Sequence, residues 1–431
     1  MNPNFLQKLL MLVSLSIGIS VAFAQDYDTL SKIEEKIREI AKKSGGSATA
    51  SPLFNSEGRI EVVLSVDKED KDKDILSDRN ILLLKIAKPS KVPDKERANI
   101  LITGTQHAGE WVAYVVVLNT AEFILQNKDK TDWPKEERFD YLRKFKDLTI
   151  KNLTDSATIY LVPVANPAGY QFSRVDVEDN KLAPDILSWR KNRRDVSGDP
   201  KDDSEKPALA GDEFIGVDLN RNYPTKNPPW GTITNSKGKE TTSRTRYSDV
   251  YCGRPRGLEG WKQKILNPSL ERESGVIVNL VTFPGRTWAG YIDVHSFIGL
   301  VGSVQTPDPK NANLRPKSSL DDKTIYDLLE KQAAGMIIDP VDTKPYRPGS
   351  PYPASGTTRE WFYEQTKMKA FGFLIEVGNR STNKADVGKF GYRPPAPQRH
   401  ADAVLPGMLF LMFAMVDKEF SSRPFADFKK P

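Results

Sequence analysis

The stretch of sequence that decides the fold is ANILITGTQHAGEWVAYVVVLNTAEFILQ, residues 98–126. Its apolar, β-branched start predicts a strand that breaks at Gly104, and the apolar run 111–126 predicts a buried helix. His107 and Glu110 lie between the two elements, and residues at this spacing share one face of a helical turn. The segment therefore predicts a strand, a turn and a helix, with an imidazole and a carboxylate at the turn.

The same alternation of elements continues on both sides of this segment. Short apolar runs predict further strands at 59–66, 81–87, 157–166, 290–296 and 371–378. Helical patterns occupy 31–46, 325–338 and 403–417. The last is too short and too interrupted by proline to span a bilayer, so we interpret it as a packed C-terminal helix. The alternation predicts an α/β fold: a single domain with a mixed, mostly parallel central sheet covered by helices on both faces.

Composition and charge narrow the classes of partner. The chain has 431 residues, 38% of them hydrophobic, which suffices for a sizeable core, and no linker separates two domains. The net charge is +6, but basic and acidic residues are interleaved. This pattern favours a solvated basic surface, with attraction to acidic peptides or cell-wall polymer as the alternative. No nucleic-acid partner is expected, because the basic segment 189–194 (WRKNRR) lacks an interleaved aromatic platform.

The N-terminus has the pattern of an export signal. Lys8 precedes the apolar run 9–23, and Ala22-Phe23-Ala24 is a small-x-small cleavage pattern. We expect a signal peptide over 1–24, a catalytic domain over 25–431, and export to the periplasm or the exterior. The apolar run is short for a membrane anchor, so no membrane span is expected after cleavage. Cys252 is the single cysteine, which excludes an intramolecular disulfide.

The chain contains three histidines, His107, His295 and His400. His295 follows the strand GYIDV, and the carboxyl ends of parallel strands are where α/β sheets place ligands. Two histidines and one glutamate with an open fourth position form a known catalytic zinc set. The spacing alone leaves two alternatives open: a His and Glu pair on a solvated helix face, and a strand-end histidine satisfied within the core.

Seven blocks of sequence, in the same order, resemble the zinc carboxypeptidases of the A and B type. They span residues 104–378 and read GTQHAGEW, NPAGYQFSR, WRKNRR, GVDLNRNY, DVHSF, YPASGTTREW and FLIEVG. One such block is weak support, whereas seven in order are specific. The chain is identified by this resemblance as a secreted, bacterial-like member of that family.

The resemblance implies a role for each matching residue. His107, Glu110 and His295 correspond to the ligands of one Zn²⁺ ion, with Asp218 as a hydrogen-bond acceptor for His107. Glu376 matches the general base, although without the resemblance a structural ion-pair role is the alternative. Arg190 matches the arginine that stabilises the oxyanion, with a solvated basic loop as the alternative.

Other matching residues are implied in substrate binding. Asn220 and Arg221 match the clamp for the substrate's terminal carboxylate, and Tyr352 matches a tyrosine that closes over the substrate's end. Arg359 lies at the position that sets preference for the last side chain, so we expect a preference for Glu or Asp. The alternative is an Arg359 that points outward or pairs with Glu360. Gly109 departs from the digestive enzymes, which carry an arginine between the two ligands.

These residues predict a zinc metallocarboxypeptidase acting on peptides with a free C-terminal carboxylate. Two alternatives remain: a zinc amidase acting on peptidoglycan-derived peptides, and a non-catalytic peptide-binding relative. Two polar insertions, 197–213 and 232–246, have loop composition and are expected to border the cleft. The oligomeric state does not follow from the sequence.

Overall fold

A mixed central sheet organises the structure, a computed structural model of the chain. The residues it describes are 27–52, 55–56, 59–60, 81–89, 97–178, 189–192, 217–225, 232–234, 240–242, 271–304, 321–349, 356–366, 370–378, 394 and 396–417. Among them the main sheet has eight strands in the order β1-β4-β6-β5-β9-β12-β10-β11. The strands, including two short separate pairs, are β1 Ala48–Pro52, β2 Asn55–Ser56, β3 Arg59–Ile60, β4 Leu82–Ile86, β5 Ala98–Gly104, β6 Ala157–Val162, β7 Thr232–Thr234, β8 Glu240–Thr242, β9 Trp288–Ser296, β10 Leu300–Ser303, β11 Arg347–Pro348 and β12 Phe371–Val377.

The four central strands, β6, β5, β9 and β12, run parallel to one another. Antiparallel pairing occurs on both sides of them, between β4 and β6 and between β10 and β12. The carboxyl ends of the central strands therefore meet at one edge of the sheet, where α/β folds bind ligands. The predicted mixed, mostly parallel sheet is confirmed.

Helices pack on both faces of this sheet. Within the described residues they are α1 Leu30–Lys43, α2 Val112–Asn127, α3 Ile150–Ser156, α4 Pro167–Glu178, α5 Arg272–Thr282, α6 Asp321–Met336, α7 Thr358–Gln365 and α8 Pro397–Val416. Successive strand residues point to opposite faces. Ile100 and Ile102 of β5 accordingly pack in one core with α2 and α8, whereas Leu101 packs in a second core with α5 and α7.

Helix α8 is the element that most resembles a membrane span. Among the described residues it is the one helix with sufficient length and apolar composition, but most of it is buried inside the protein. A side chain at Gly407 would collide with Ile337 and with the backbone oxygen of Ala333, so α8 packs closely against the end of α6. The prediction of a packed C-terminal helix is confirmed.

Most predicted elements are present, with shifted ends. The strand predicted over 157–166 ends at Val162, and α4 follows it from Pro167. Helix α4 is capped by Asn166, whose Oδ1 accepts a hydrogen bond from Gly169 N at 3.0 Å. Several predictions fall on residues outside the described ranges: the signal peptide 1–24, the strand 59–66 beyond Ile60, insertion 197–213, most of insertion 232–246, Cys252 and Tyr352.

Candidate active site

The turn after β5 is held by the neighbouring β6 segment. Asn166 N donates to Thr105 O at 3.1 Å, and Ala165 N donates to Gly104 O at 3.0 Å. Gly104 is crowded, because a Cβ there would lie 2.8 Å from Pro163 O. Thr105 adopts a left-handed conformation with φ 52°, which is uncommon for a β-branched residue and costs about 1–3 kcal/mol. The strained turn directs the following residues across the end of the sheet.

A second segment docks on this turn through its backbone. Ala108 N donates to Arg190 O at 3.1 Å, and Gly109 N donates to Trp189 O at 2.7 Å. These two hydrogen bonds bring the side chain of Arg190 to the edge where His107 and Glu110 lie. They also satisfy amide groups of a turn that is buried.

The turn brings His107 and Glu110 together with His295, which lies near the end of β9. His107 Nδ1 is 2.8 Å from Glu110 Oε1, and His295 Nδ1 is 2.8 Å from Glu110 Oε2. The two Nδ1 atoms are 3.0 Å apart. Among the described residues these three form the group of His, Cys, Asp and Glu side chains placed to bind a metal ion. The solvated-helix alternative is excluded, because all three are buried.

The far nitrogens of both imidazoles face carboxylates. His107 Nε2 lies 3.2 Å from Asp218 Oδ1, and His295 Nε2 lies 2.9 Å from Asp293 Oδ2. Carboxylates accept hydrogen bonds, so each Nε2 carries a proton, and in the neutral form of each ring the Nδ1 lone pair points towards Glu110. With both rings neutral, three acceptor groups converge with no donor among them. A cation satisfies this arrangement, and the donor set fits zinc.

The electrostatics of the triad favour positive charge at its centre. Burial opposes the imidazolium of His295, but Asp293 and Glu110 outweigh it and raise the pKa of His295 well above its usual range. Burial also opposes the charge of Glu110, yet His107 and His295 lower the pKa of Glu110 below its usual value. A bound divalent cation supplies this positive charge without a proton.

Glu376 lies beside the triad on the adjacent strand. Strand β12 pairs in parallel with β9, and Glu376 is in register with His295. The residue as a whole is half-buried. Burial and the negative charge of Glu110 raise the pKa of Glu376 to about 7. A carboxylate with a pKa near neutrality is suited to proton transfer.

Asp218 connects Arg190 to the triad. Arg190 Nε donates to Asp218 Oδ2 at 2.7 Å, while the other oxygen faces His107. Burial opposes the charge of Asp218, but Arg190 and His107 lower the pKa of Asp218 well below its usual value. The predicted contact between Asp218 and His107 is present.

Asn220 and Arg221 lie in the short 3₁₀ turn that follows Asp218. Asn220 N donates to Asp218 Oδ1 at 3.0 Å, which caps this turn. Arg221 Nη1 donates to the backbone oxygen of Asn220 at 2.6 Å, which holds the Arg221 guanidinium against this turn. The Asn220 Oδ1 atom accepts a hydrogen bond from Thr358 N at 3.0 Å, which fixes the orientation of its amide.

Arg359 lies in the first turn of α7, directly after Thr358. It is buried, with 5% of its surface exposed, and therefore does not point into solvent. Its positive charge contributes to lowering the pKa of Asp293, where burial is the largest, opposing effect. The neighbouring Glu360 accepts a hydrogen bond from Gly356 N at 3.1 Å.

Sequence reasoning missed Asp293, which is fully buried two residues before His295 on β9. Alternate residues of a strand share a face, so the pattern Asp-Val-His was the available signal.

The third histidine, His400, lies on α8 and is not part of the triad. Neither of its ring nitrogens has a hydrogen-bond partner among the described residues, and burial lowers its pKa to about 4.

The chain is similar to known zinc carboxypeptidases. The sequence model of the peptidase M14 family, described as zinc carboxypeptidase, matches residues 76–402. Carboxypeptidase A4 of Mus musculus is 28% identical over 308 residues, which are 70% of this chain and 54% of that protein. Carboxypeptidase B of Rattus norvegicus is 24% identical over 323 residues, or 74% of this chain and 58% of that protein.

The chain spans about half the length of the curated relatives it matches. Among solved structures, carboxypeptidase A from Helicoverpa armigera has the same fold. The comparison gives a TM-score of 0.58 at 19% sequence identity and covers 97% of this chain and 81% of that chain.

Proposed function

The chain belongs to the zinc carboxypeptidase family, whose model matches most of its length, and we propose that it is a metallocarboxypeptidase that removes the C-terminal residue of peptides. The observation that carries the proposal is the position of Glu376, in register with His295 beside the buried triad. A structural ion pair would lower the pKa of Glu376, whereas the pKa of this half-buried residue is raised to about 7.

His107, Glu110 and His295 would hold one zinc ion. When bound, zinc supplies a Lewis acid that polarises a carbonyl group and makes water a nucleophile at neutral pH. Glu376 takes a proton from the attacking water and delivers it to the nitrogen of the leaving amine. Arg190 places a permanent positive charge where negative charge develops on the scissile carbonyl oxygen.

The clamp for the terminal carboxylate distinguishes an exopeptidase from other hydrolases. Arg221 supplies a guanidinium for bidentate binding of that carboxylate, and Asn220 supplies an amide donor beside it. The hydrogen bond from Arg221 Nη1 to the backbone oxygen of Asn220 supports a shared role, because it holds the guanidinium against the turn that carries Asn220. Tyr352 closes over the end of the substrate, as the family resemblance implies.

A preference for acidic C-terminal residues rests on Arg359. A buried guanidinium in the first turn of α7 favours a substrate carboxylate in the same low-dielectric surroundings. The nearby charge of Asp293 reduces the net positive charge there, so the preference for Glu and Asp is moderate rather than absolute.

The proposal includes the organisation of the whole chain. Residues 1–24 act as a signal peptide, and 25–431 form the catalytic domain exported to the periplasm or the exterior. The substrates are peptides with a free C-terminal carboxylate. The insertions 197–213 and 232–246 limit access to the cleft.

The test is mass spectrometry of a peptide library digested with the mature enzyme, with and without a chelator. We expect release of single C-terminal residues that stops when zinc is removed and resumes when zinc is restored. Matched peptides with an amidated C-terminus should resist cleavage, because the clamp then lacks its carboxylate. Equal cleavage of amidated peptides would indicate the amidase instead. Peptide binding by a protein that holds no zinc would indicate a binding relative.

A further inference from the structure

The carboxylate of Asp293 is the centre of a fully buried polar network. Its Oδ1 accepts hydrogen bonds from Gln106 Nε2 at 2.7 Å and Thr103 Oγ1 at 3.0 Å. Its Oδ2 lies 2.9 Å from His295 Nε2 and 3.3 Å from Asn220 Nδ2. Both oxygens are therefore engaged, one by groups behind the site and the other by groups of the site itself.

The orientation of Asn220 assigns the donors in this network. Because Asn220 Oδ1 accepts from Thr358 N at 3.0 Å, its Nδ2 faces both Asp293 and His295 Nε2. His295 Nε2 faces the acceptor Asp293 Oδ2 at 2.9 Å, so Nε2 is protonated and donates. The 3.0 Å approach between His295 Nε2 and Asn220 Nδ2 then joins two donors and is not a hydrogen bond. Both donors share the single acceptor Asp293 Oδ2.

The opposite side of the carboxylate is rigidly supported. Gln106 Oε1 accepts a hydrogen bond from Thr358 Oγ1 at 2.8 Å, which directs the Gln106 amide nitrogen to Asp293 Oδ1. Thr103 is in register with Asp293 across the parallel pair β5 and β9. The position of Oδ2 is thus set by two central strands and by the start of α7.

We propose that Asp293 is a positioning residue that couples the metal ligand His295 to Asn220, so that one carboxylate oxygen orients both the metal site and the clamp. The part that concerns the clamp rests on the function proposed above for Asn220. Neutral Asn at this position removes the charge-assisted hydrogen bond to His295 in either amide orientation. When the amide nitrogen of that Asn faces the site, the acceptor that holds Asn220 Nδ2 is lost, and when its carbonyl oxygen does, the acceptor is neutral and weaker.

The test uses Asp293→Asn in the otherwise intact chain, with Asp339→Asn as the matched control. Asp339 is also fully buried and accepts a hydrogen bond from Val341 N at 2.8 Å, but it lies in the loop after α6. Zinc affinity is measured by competition with a chelator, and the ligand geometry is measured from the visible absorption bands of the Co²⁺-substituted protein. A third measurement compares the affinities of the zinc-free protein for a tripeptide and for its C-terminal amide.

For Asp293→Asn we expect zinc affinity to fall roughly 10- to 100-fold and the cobalt bands to shift. The preference for the free acid over the amide should fall about tenfold, because Asn220 is no longer oriented. Asp339→Asn should change thermal stability alone. If Asp293→Asn does not fold, Thr103→Val provides a milder perturbation that should shift the cobalt bands in the same direction.

Zinc affinity and cobalt bands that stay at the wild-type values in the folded variant would overturn the proposal, as would an unchanged preference for the acid. A failure of the proposed function would give a different experimental result from a failure of the coupling. A wild-type protein that binds the tripeptide and its amide equally contradicts the carboxypeptidase. A wild-type preference that survives Asp293→Asn contradicts only the coupling.

Discussion

Arg190 donates its Nε–H to Asp218 at 2.7 Å, and the same carboxylate faces His107 Nε2 at 3.2 Å. One buried acid thus orients both a metal ligand and the arginine proposed to stabilise the oxyanion. Asp218 retains its charge, since Arg190 and His107 lower its pKa although burial alone would raise it. Metal binding and turnover are therefore expected to depend on the same residue.

Asp218→Asn should weaken zinc binding and turnover together. We expect zinc affinity to fall roughly 10- to 100-fold as the tautomer of His107 is no longer held, and kcat to fall about 100-fold as Arg190 loses its anchor. Chelator competition and steady-state kinetics measure the two effects. Asp155→Asn is the control, because Asp155 pairs with Lys151 outside the site. A variant with wild-type zinc affinity would contradict the role of Asp218.

Glu376→Gln should abolish turnover while the protein keeps its zinc. Loss of a general base is expected to lower kcat by roughly 100- to 10,000-fold. Zinc content, measured by elemental analysis, should remain at one ion per chain because Glu376 is not among the ligands. The exposed Glu39→Gln on α1 is the matched control. Near-normal turnover in the Glu376 variant would assign the proton transfer to another group.

The raised pKa of Glu376 predicts a pH dependence of stability in the zinc-free protein. The pKa of Glu376 is about 7 in the folded protein, whereas a glutamate in an unfolded chain has a pKa of about 4.3. Between these two pH values the folded protein keeps a proton that the unfolded chain has released. The protonated Glu376 side chain therefore contributes to the free energy of unfolding in full below about pH 4.3, and this contribution is lost as pH rises towards 7. Thermal unfolding should therefore show a steeper fall in Tm between about pH 5 and 7 for wild type than for Glu376→Gln.

Added zinc provides the internal check on this pH dependence. A divalent cation at the triad favours the ionised form of Glu376 and lowers its pKa. The difference in slope between wild type and Glu376→Gln should shrink when the titration is repeated with zinc. Identical slopes in the zinc-free proteins would show that Glu376 titrates at its ordinary value.

Arg359→Gln should reduce the preference for acidic C-terminal residues. We expect the ratio of kcat/KM for a peptide ending in Glu to that for one ending in Leu to fall about tenfold, the effect of 1.4 kcal/mol. Peptides that differ only in the last residue measure this ratio. The control is Arg347→Gln, which removes an exposed arginine on β11. A wild-type enzyme that cleaves a C-terminal Lys as fast as Glu would refute the preference.

Zinc should stabilise the folded protein through the triad. At a zinc concentration about 1,000 times the Kd, binding contributes about 4 kcal/mol to the free energy of unfolding. Differential scanning fluorimetry should show this as a rise in Tm that His295→Ala abolishes. His400→Ala removes the buried histidine of α8 and should lower Tm while retaining the zinc-dependent rise. A zinc-dependent rise in the His295 variant would place the metal elsewhere.

The elements that could be predicted from the sequence are those with a strong hydrophobic pattern. Central strands such as β5 and β12 are buried on both faces and therefore form nearly continuous apolar runs. Strand β1, with the sequence ATASP, carries no such run and was missed. Helix α4 was missed because Asn166-Pro167 has the composition of a turn, although here Asn166 caps the helix.

Some residues of the candidate site were likewise indicated by a local sequence pattern, and others were not. Spacing marked His107 and Glu110, and the end of an apolar strand marked His295. Arg190 and Glu376 had no local signal beyond the family resemblance, since an arginine in a basic segment and an acid in an apolar run each have ordinary structural explanations. Asp293 was overlooked because an isolated acid in a strand does not show which groups it will face.

The sequence by itself determined the kinds of element, their alternation and the three donor side chains, because hydrophobic period and donor chemistry are local properties. The family resemblance implied that Asp218 meets His107, but only the tertiary structure decided that Asp293 meets His295. These contacts depend on the order β5-β9-β12 and on the docking of Trp189 and Arg190 against the turn. Long-range packing sets them, because residues far apart in sequence become neighbours only when the strands pair.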